Sequence, residues 1–172
     1  MLPTWLDPAT VKAIGAIGIP IVTFVLGFFA SRWTMTKKER KDVEQKQFEN
    51  SAELMTAQLN LYQEFTAALT KYNDKVGAVT FDDFYAIATT GEKYFYQQKI
   101  ISDAILSGRV DNNARDNTLV PSIVQTVNKS LPAFYKTLQS IAQKKNFEYH
   151  GELRREDYES LYRVVEKYGK LD

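Results

Sequence analysis

The stretch Ala13–Ala30, AIGAIGIPIVTFVLGFFA, holds eighteen consecutive residues without a charge. As a helix it is about 27 Å long at a rise of about 1.5 Å per residue, close to the hydrocarbon thickness of a bilayer. Two other fates compete for it. A buried helix of a soluble domain normally keeps a polar stripe, and here only Thr23 is polar. A cleaved signal peptide needs a basic leader, a shorter apolar core and a small-residue cleavage site. The residues before this stretch carry Asp7 and, as the only basic side chain, Lys12, and it ends Phe28-Phe29-Ala30. The sequence therefore predicts an uncleaved transmembrane helix over 13–33, after a short extracytoplasmic N-terminus at 1–12.

Basic residues near the ends of a span set its orientation. Lys12 stands alone on one side; Arg32, Lys37, Lys38, Arg40, Lys41 and Lys46 follow on the other. This places the C-terminal part in the cytoplasm. Trp5 and Trp33, the only two Trp, flank the span as interfacial rings do. The basic cluster suits anionic headgroups, at about 1 kcal/mol per charge near the surface. Lys12, Ala16, Pro20, Thr23, Gly27, Ser31 and Thr34 share one helical face. Such a face lets membrane helices approach closely in an oligomer, or lines a pore with its polar members towards water. A monomeric anchor with ordinary membrane glycines is the plainer alternative. Pro20 kinks the span.

No Gly or Pro occurs from Ser31 to Val76, so a long helix is expected over 34–76. Its basic juxtamembrane part gives way at Phe48 to a periodic stripe: Phe48, Ala52, Met55, Leu59, Tyr62, Thr66, Leu69, Tyr72 and Val76. A second stripe holds Leu54, Leu61, Phe65 and Ala68. Two apolar faces imply packing on more than one side, as in a helical bundle.

Residues 77–172 supply the rest of that bundle. Thr80 with Asp82 and Asp83 reads as a helix start, and Gly108 as a stop. Gly91 is expected to bend or break the helix between them. The cluster Tyr94-Phe95-Tyr96 reads as core and interface rather than a base-stacking platform, since only Lys93 and Lys99 are close. Arg109–Thr118 is a polar turn; the apolar run after it contains Pro121 and Pro132, each of which starts a new helix or kinks one. A last helix spans about 154–168. No strand and no repeat is evident. The fold class is all-α: one N-terminal transmembrane helix continuing into a long cytosolic helix, then a bundle of four or five helices.

Several chemistries are excluded by composition. The chain has 172 residues and no Cys, so disulfides, thiolate metal sites and Cys nucleophiles are absent. A single His, His150, rules out mechanisms that need two imidazoles from one chain. A net charge of +1 argues against general coating of nucleic acid. There is no Gly-rich phosphate loop, no nucleophile elbow and no paired-His metal motif. No cofactor or metal is implied. The acidic pairs Asp82-Asp83 and Glu156-Asp157 stand at helix starts, where capping accounts for them.

One segment carries a sharper possibility. Lys145, Asn146 and His150 form a basic–polar–xxx–His arrangement, which resembles the Arg-polar-xxx-His motif of HEPN-type ribonucleases, compact helical bundles that pair so that two motifs share a cleft. The resemblance implies metal-independent RNA cleavage: the imidazole moves the ribose 2′-hydroxyl proton and the cation holds the phosphate. Lys145 replaces the Arg and lacks its bidentate geometry. The alternative is a lone His held by a hydrogen bond at a helix junction. With its span and long helix, the HEPN-like chain also resembles the small membrane ancillary proteins of type VI CRISPR systems. That likeness implies a homo-oligomeric pore in the bacterial inner membrane, acting in antiphage defence beside an RNA-guided nuclease and only indirectly on RNA.

Three functions follow: a membrane-anchored oligomeric effector that forms a pore or perturbs the bilayer; a membrane-tethered helical adaptor that binds a cytosolic partner; and a metal-independent HEPN-type RNase.

Overall fold

The computed structural model describes residues 37–75 and 79–169. The chain divides into two compact units, Met1–Val43 and Glu44–Asp172. Every regular element among the described residues is helical, in agreement with the all-α expectation. The membrane part of that expectation is corrected. Among the described residues no helix is long and apolar enough to cross a membrane. The longest, α1 (Lys37–Asp74), opens with the charged run Lys37, Lys38, Glu39, Arg40, Lys41 and Asp42 and keeps charges along its length. The fold as a membrane span feeding a cytosolic helix, and the inner-membrane location with it, therefore have no support from these helices. The expected span at 13–33 lies outside the described residues, as do the rest of the expected N-terminal segment and Val76.

An unbroken run without Gly or Pro explains the 38-residue length of α1. Its residue Ser51 is buried, while Leu54, Met55, Phe65, Ala68, Leu69 and Tyr72 pack partly buried against the core. Polar side chains fasten it to the turn after the next helix. Gln47 Nε2 donates to the Gly108 carbonyl at 2.9 Å and Asn50 Nδ2 to the Arg109 carbonyl at 2.8 Å. The Asp111 N–H donates to Ser51 Oγ at 2.9 Å.

Helix α2 (Phe81–Leu106) starts at a capping box. The Asp83 N–H donates to Thr80 Oγ1, and the Thr80 N–H donates to the Asp83 carboxylate. Gly91 does not break it: the helix is continuous through this position. Gly91 is where the Phe134 ring lies against the helix backbone, in the space a Cβ would need. Gly108, with φ +69°, ends the helix as expected, with the Arg109 N–H reaching back to the Ala104 carbonyl at 2.9 Å.

The chain is helical from 112 to 145, and Pro121 and Pro132 each stand in the first turn of a new α segment, as expected, with a π-turn before it. Asp111 caps α3 (Asn112–Ala114) through the Ala114 N–H. A π-turn at Arg115–Leu119 leads to α4 (Val120–Gln125), and a second at Thr126–Ser130 leads to α5 (Leu131–Lys145). Val120 donates to the Arg115 carbonyl and Leu131 to that of Thr126, five residues back in each case. Each wider turn ends two residues before a proline. There it gives room to a ring that lacks an N–H and crowds the carbonyl four residues back. A 3₁₀ turn at Arg155–Tyr158 then opens α6 (Glu159–Tyr168).

Phe84, Ile87, Phe95, Ile101 and Ile105 of α2 meet Leu119, Ile123, Leu131, Phe134 and Leu138 of the 112–145 run and Leu161 and Val164 of α6. Burying each such side chain stabilises the fold by about 1.5–3 kcal/mol. Phe65 of α1 closes the cluster edge-on to Phe134 at a centroid distance of 5.6 Å.

Candidate binding face on the second helix

The core takes one side of α2. On the opposite side Phe81, Tyr85, Tyr96 and Ile100 are 48%, 62%, 62% and 40% exposed. Their spacings of four, eleven and four residues are close to whole numbers of turns at about 3.6 residues each, so they lie on one face as two pairs about 16 Å apart, with Thr89 and Glu92 between them. Phe81 stacks on Tyr85 with centroids 6.4 Å apart. Side chains of this size are normally covered, and several on one face mark an interaction surface.

Beside Tyr96 opens a cleft of about 530 Å³ between α2, α5 and the 3₁₀ turn. Lys93 and Lys99 line it on either side of Tyr96, and Glu92 lines it with them. Tyr135 and Tyr158 lie at its inner end. Both are buried, and their hydroxyls are 2.9 Å apart. One proton serves this hydrogen bond, which leaves one phenolic O–H to spare. Burial, then the bond to Tyr135, pushes the Tyr158 phenol well above its ordinary value. Arg154 is held at the rim by Asp157, Nε to Oδ2 at 3.0 Å, and this hydrogen bond raises its pKa further. Among the described residues Lys93, Lys99 and Glu92 form no ion pair, so the uncommitted charge around Tyr96 is positive by one.

The residues singled out by the HEPN-like motif sit elsewhere. Lys145 is the exposed last residue of α5. Asn146 adopts the left-handed conformation, φ 57° and ψ 40°, and its N–H caps the helix on the carbonyls of Ala142 and Gln143. His150 is exposed in the loop that follows, its Nε2 3.4 Å from Glu148 Oε1. No hydrogen bond or ion pair joins Lys145, Asn146 and His150 to one another among the described residues. Of the expected interfacial residues, Lys37, Lys38, Arg40 and Lys41 are exposed on the first turns of α1. Trp5, Lys12, Ala16, Pro20, Thr23, Gly27, Ser31, Arg32, Trp33 and Thr34 lie outside the described residues. Nor do any three acidic or His side chains among the described residues group as metal ligands would.

Sequence reasoning passed over Glu92, Arg154 and the Tyr135–Tyr158 pair. The available signal was tyrosine, rather than phenylalanine, at two apolar-periodic positions, since a buried hydroxyl requires a partner. No family model, curated protein or solved structure matches the chain.

Proposed function

We propose that the bundle is a protein-binding module that takes a polypeptide segment across the outward face of α2. The observation that carries this reading is the exposed face of Phe81, Tyr85, Tyr96 and Ile100 running past a cleft whose uncommitted charge is positive. The partner is a segment that presents apolar or aromatic side chains to that face and a carboxylate to Lys93 and Lys99. The spare phenolic O–H of the Tyr135–Tyr158 pair is a further donor for that carboxylate. Aromatic anchors beside a polar rim are the usual energetic centre of such surfaces.

The test is selection of a displayed library of random peptides on the full chain. The expected peptides are enriched in aromatic and acidic residues, and Tyr96→Ala weakens their binding about tenfold or more, as loss of an aromatic anchor does. Lys99→Glu weakens it further, with a smaller dependence on salt. Peptides whose affinity is indifferent to both Tyr96→Ala and Tyr85→Ala, or no enrichment at all, would overturn the reading.

A further inference from the structure

Helix α1 carries a second apolar face that the bundle covers only along one edge, where Met55 packs against the core and the Tyr62 ring stands 5.8 Å from that of Tyr94. Phe48, Leu59 and Tyr62 are 65%, 54% and 49% exposed. With Ala52, Met55 and Thr66 they repeat at spacings of four, three, four, three and four, the alternation that keeps one seam facing a partner helix. At about 100° per residue the seam lies roughly a quarter turn away from Ser51, Leu54 and Phe65, which face the bundle. We infer that this seam pairs with the same seam of a second copy of the chain, antiparallel, about a two-fold axis level with Ala57.

The order of side-chain sizes selects that partner and direction. Antiparallel pairing at this level sets Phe48 against Thr66, Ala52 against Tyr62 and Met55 against Leu59, and the two-fold repeats each contact. Every ring meets a small side chain, as close packing across an isologous interface requires. Parallel pairing in register sets Phe48 on Phe48 and Ala52 on Ala52, crowding one layer and leaving a gap in the next. Charge agrees with the antiparallel pairing. The solvent-side flank of the seam holds Gln45, Thr56, Gln63 and Thr70, with Glu49 as its one charge. In this register Glu49 comes level with Phe65 of the partner subunit, beside uncharged neighbours, so two copies meet without like-charge repulsion. Lys46, Glu53, Glu64 and Lys71 are turned away from the seam.

The chain has no Cys, so introduced cysteines report proximity directly. Full chain carrying Ala52→Cys is mixed with full chain carrying Tyr62→Cys and oxidised. The expected result is a disulfide-linked dimer from the mixture and none from either variant alone. Like positions then lie about 15 Å apart along the axis at about 1.5 Å per residue, beyond the roughly 7 Å a disulfide spans. Phe48→Cys with Thr66→Cys repeats the test at the next layer, guarding against loss of the Tyr62 ring. Leu59→Arg added to both partners lowers the cross-linked yield about tenfold or more, with helix content by circular dichroism unchanged. Cross-linking of Ala52→Cys alone shows a parallel pair and overturns the inference, as does absence of cross-linking in both mixtures.

Discussion

At the scale of single residues, Gly91 shows how a neighbour can reverse the meaning of a residue type. In an exposed helix interior, Gly is less stable than Ala by about 1 kcal/mol. In α2 the missing side chain is the space occupied by Phe134, and Phe65 Cε2 stands only 3.0 Å from where a Cβ would be. Gly91→Ala must push two rings out of a packed cluster, at a cost of typically 1–3 kcal/mol. That exceeds the gain in helix propensity, so the variant is expected to be less stable by about 1 kcal/mol or more in chemical denaturation. Phe134→Leu opens room at the same place, and Gly91→Ala made in that background is expected to lose less. A Gly91→Ala chain more stable than the wild type would show that the rings yield freely.

At the scale of elements, the start of α2 is tied to the end of α1 by a single carboxylate. Asp83 Oδ1 stands 2.6 Å from Lys75 Nζ, and Oδ2 accepts from the Thr80 N–H at 3.1 Å and from the Thr80 hydroxyl at 2.8 Å. The Lys75 hydrogen bond, followed by those from Thr80, holds the Asp83 carboxyl well below the usual carboxylate range. A depressed folded pKa adds stability at every pH above the unfolded value of about 3.9, and loses it as pH falls towards the folded value. Asp83→Asn is therefore expected to lower Tm at neutral pH, with the gap to wild type narrowing below about pH 4. A gap of equal size at pH 3 and pH 7 would assign the effect to packing instead. Features of this local kind were open to sequence reasoning: the Thr80 cap and the Gly108 stop need only their immediate neighbours. The π-turns before Pro121 and Pro132 were not, because the choice between kinking, restarting and widening a helix is made by what packs on either side of it. The candidate face was half legible. Tyr94, Phe95 and Tyr96 announce aromatic packing, but which ring stays outside depends on which side of α2 meets α5. The Tyr135–Tyr158 pair joins residues 23 apart, a separation that no local pattern carries. His150 drew attention as the only imidazole, yet its count says nothing of its neighbours, and the structure gives it an exposed loop and Glu148.

At the scale of the whole molecule, burial is unequally shared within the unit that begins at Glu44. The fully covered side chains come from α2, the 112–145 run and α6, whereas α1 contributes one buried residue, Ser51, and a flank of half-buried ones. Its attachment rests on Phe65, its partly covered neighbours and the polar ties from Gln47, Asn50, Ser51 and Gln58. Elements with fewer buried apolar contacts open at lower free energy than the core does. Native-state hydrogen exchange is thus expected to find the amides of 51–69 less protected, by about tenfold or more, than those of 84–105 and 131–142. That opening bares Phe65 and one side of Phe95 while leaving the α2–α5–α6 core in place. Pairing of the Phe48–Thr66 seam with a second copy stabilises α1 by mass action, so its protection is expected to rise with protein concentration while that of α2 stays constant. Equal protection of α1 and α2 at low concentration would mean that the unit opens as one cooperative body, with the polar ties from α1 strong enough to make up for its shallow burial.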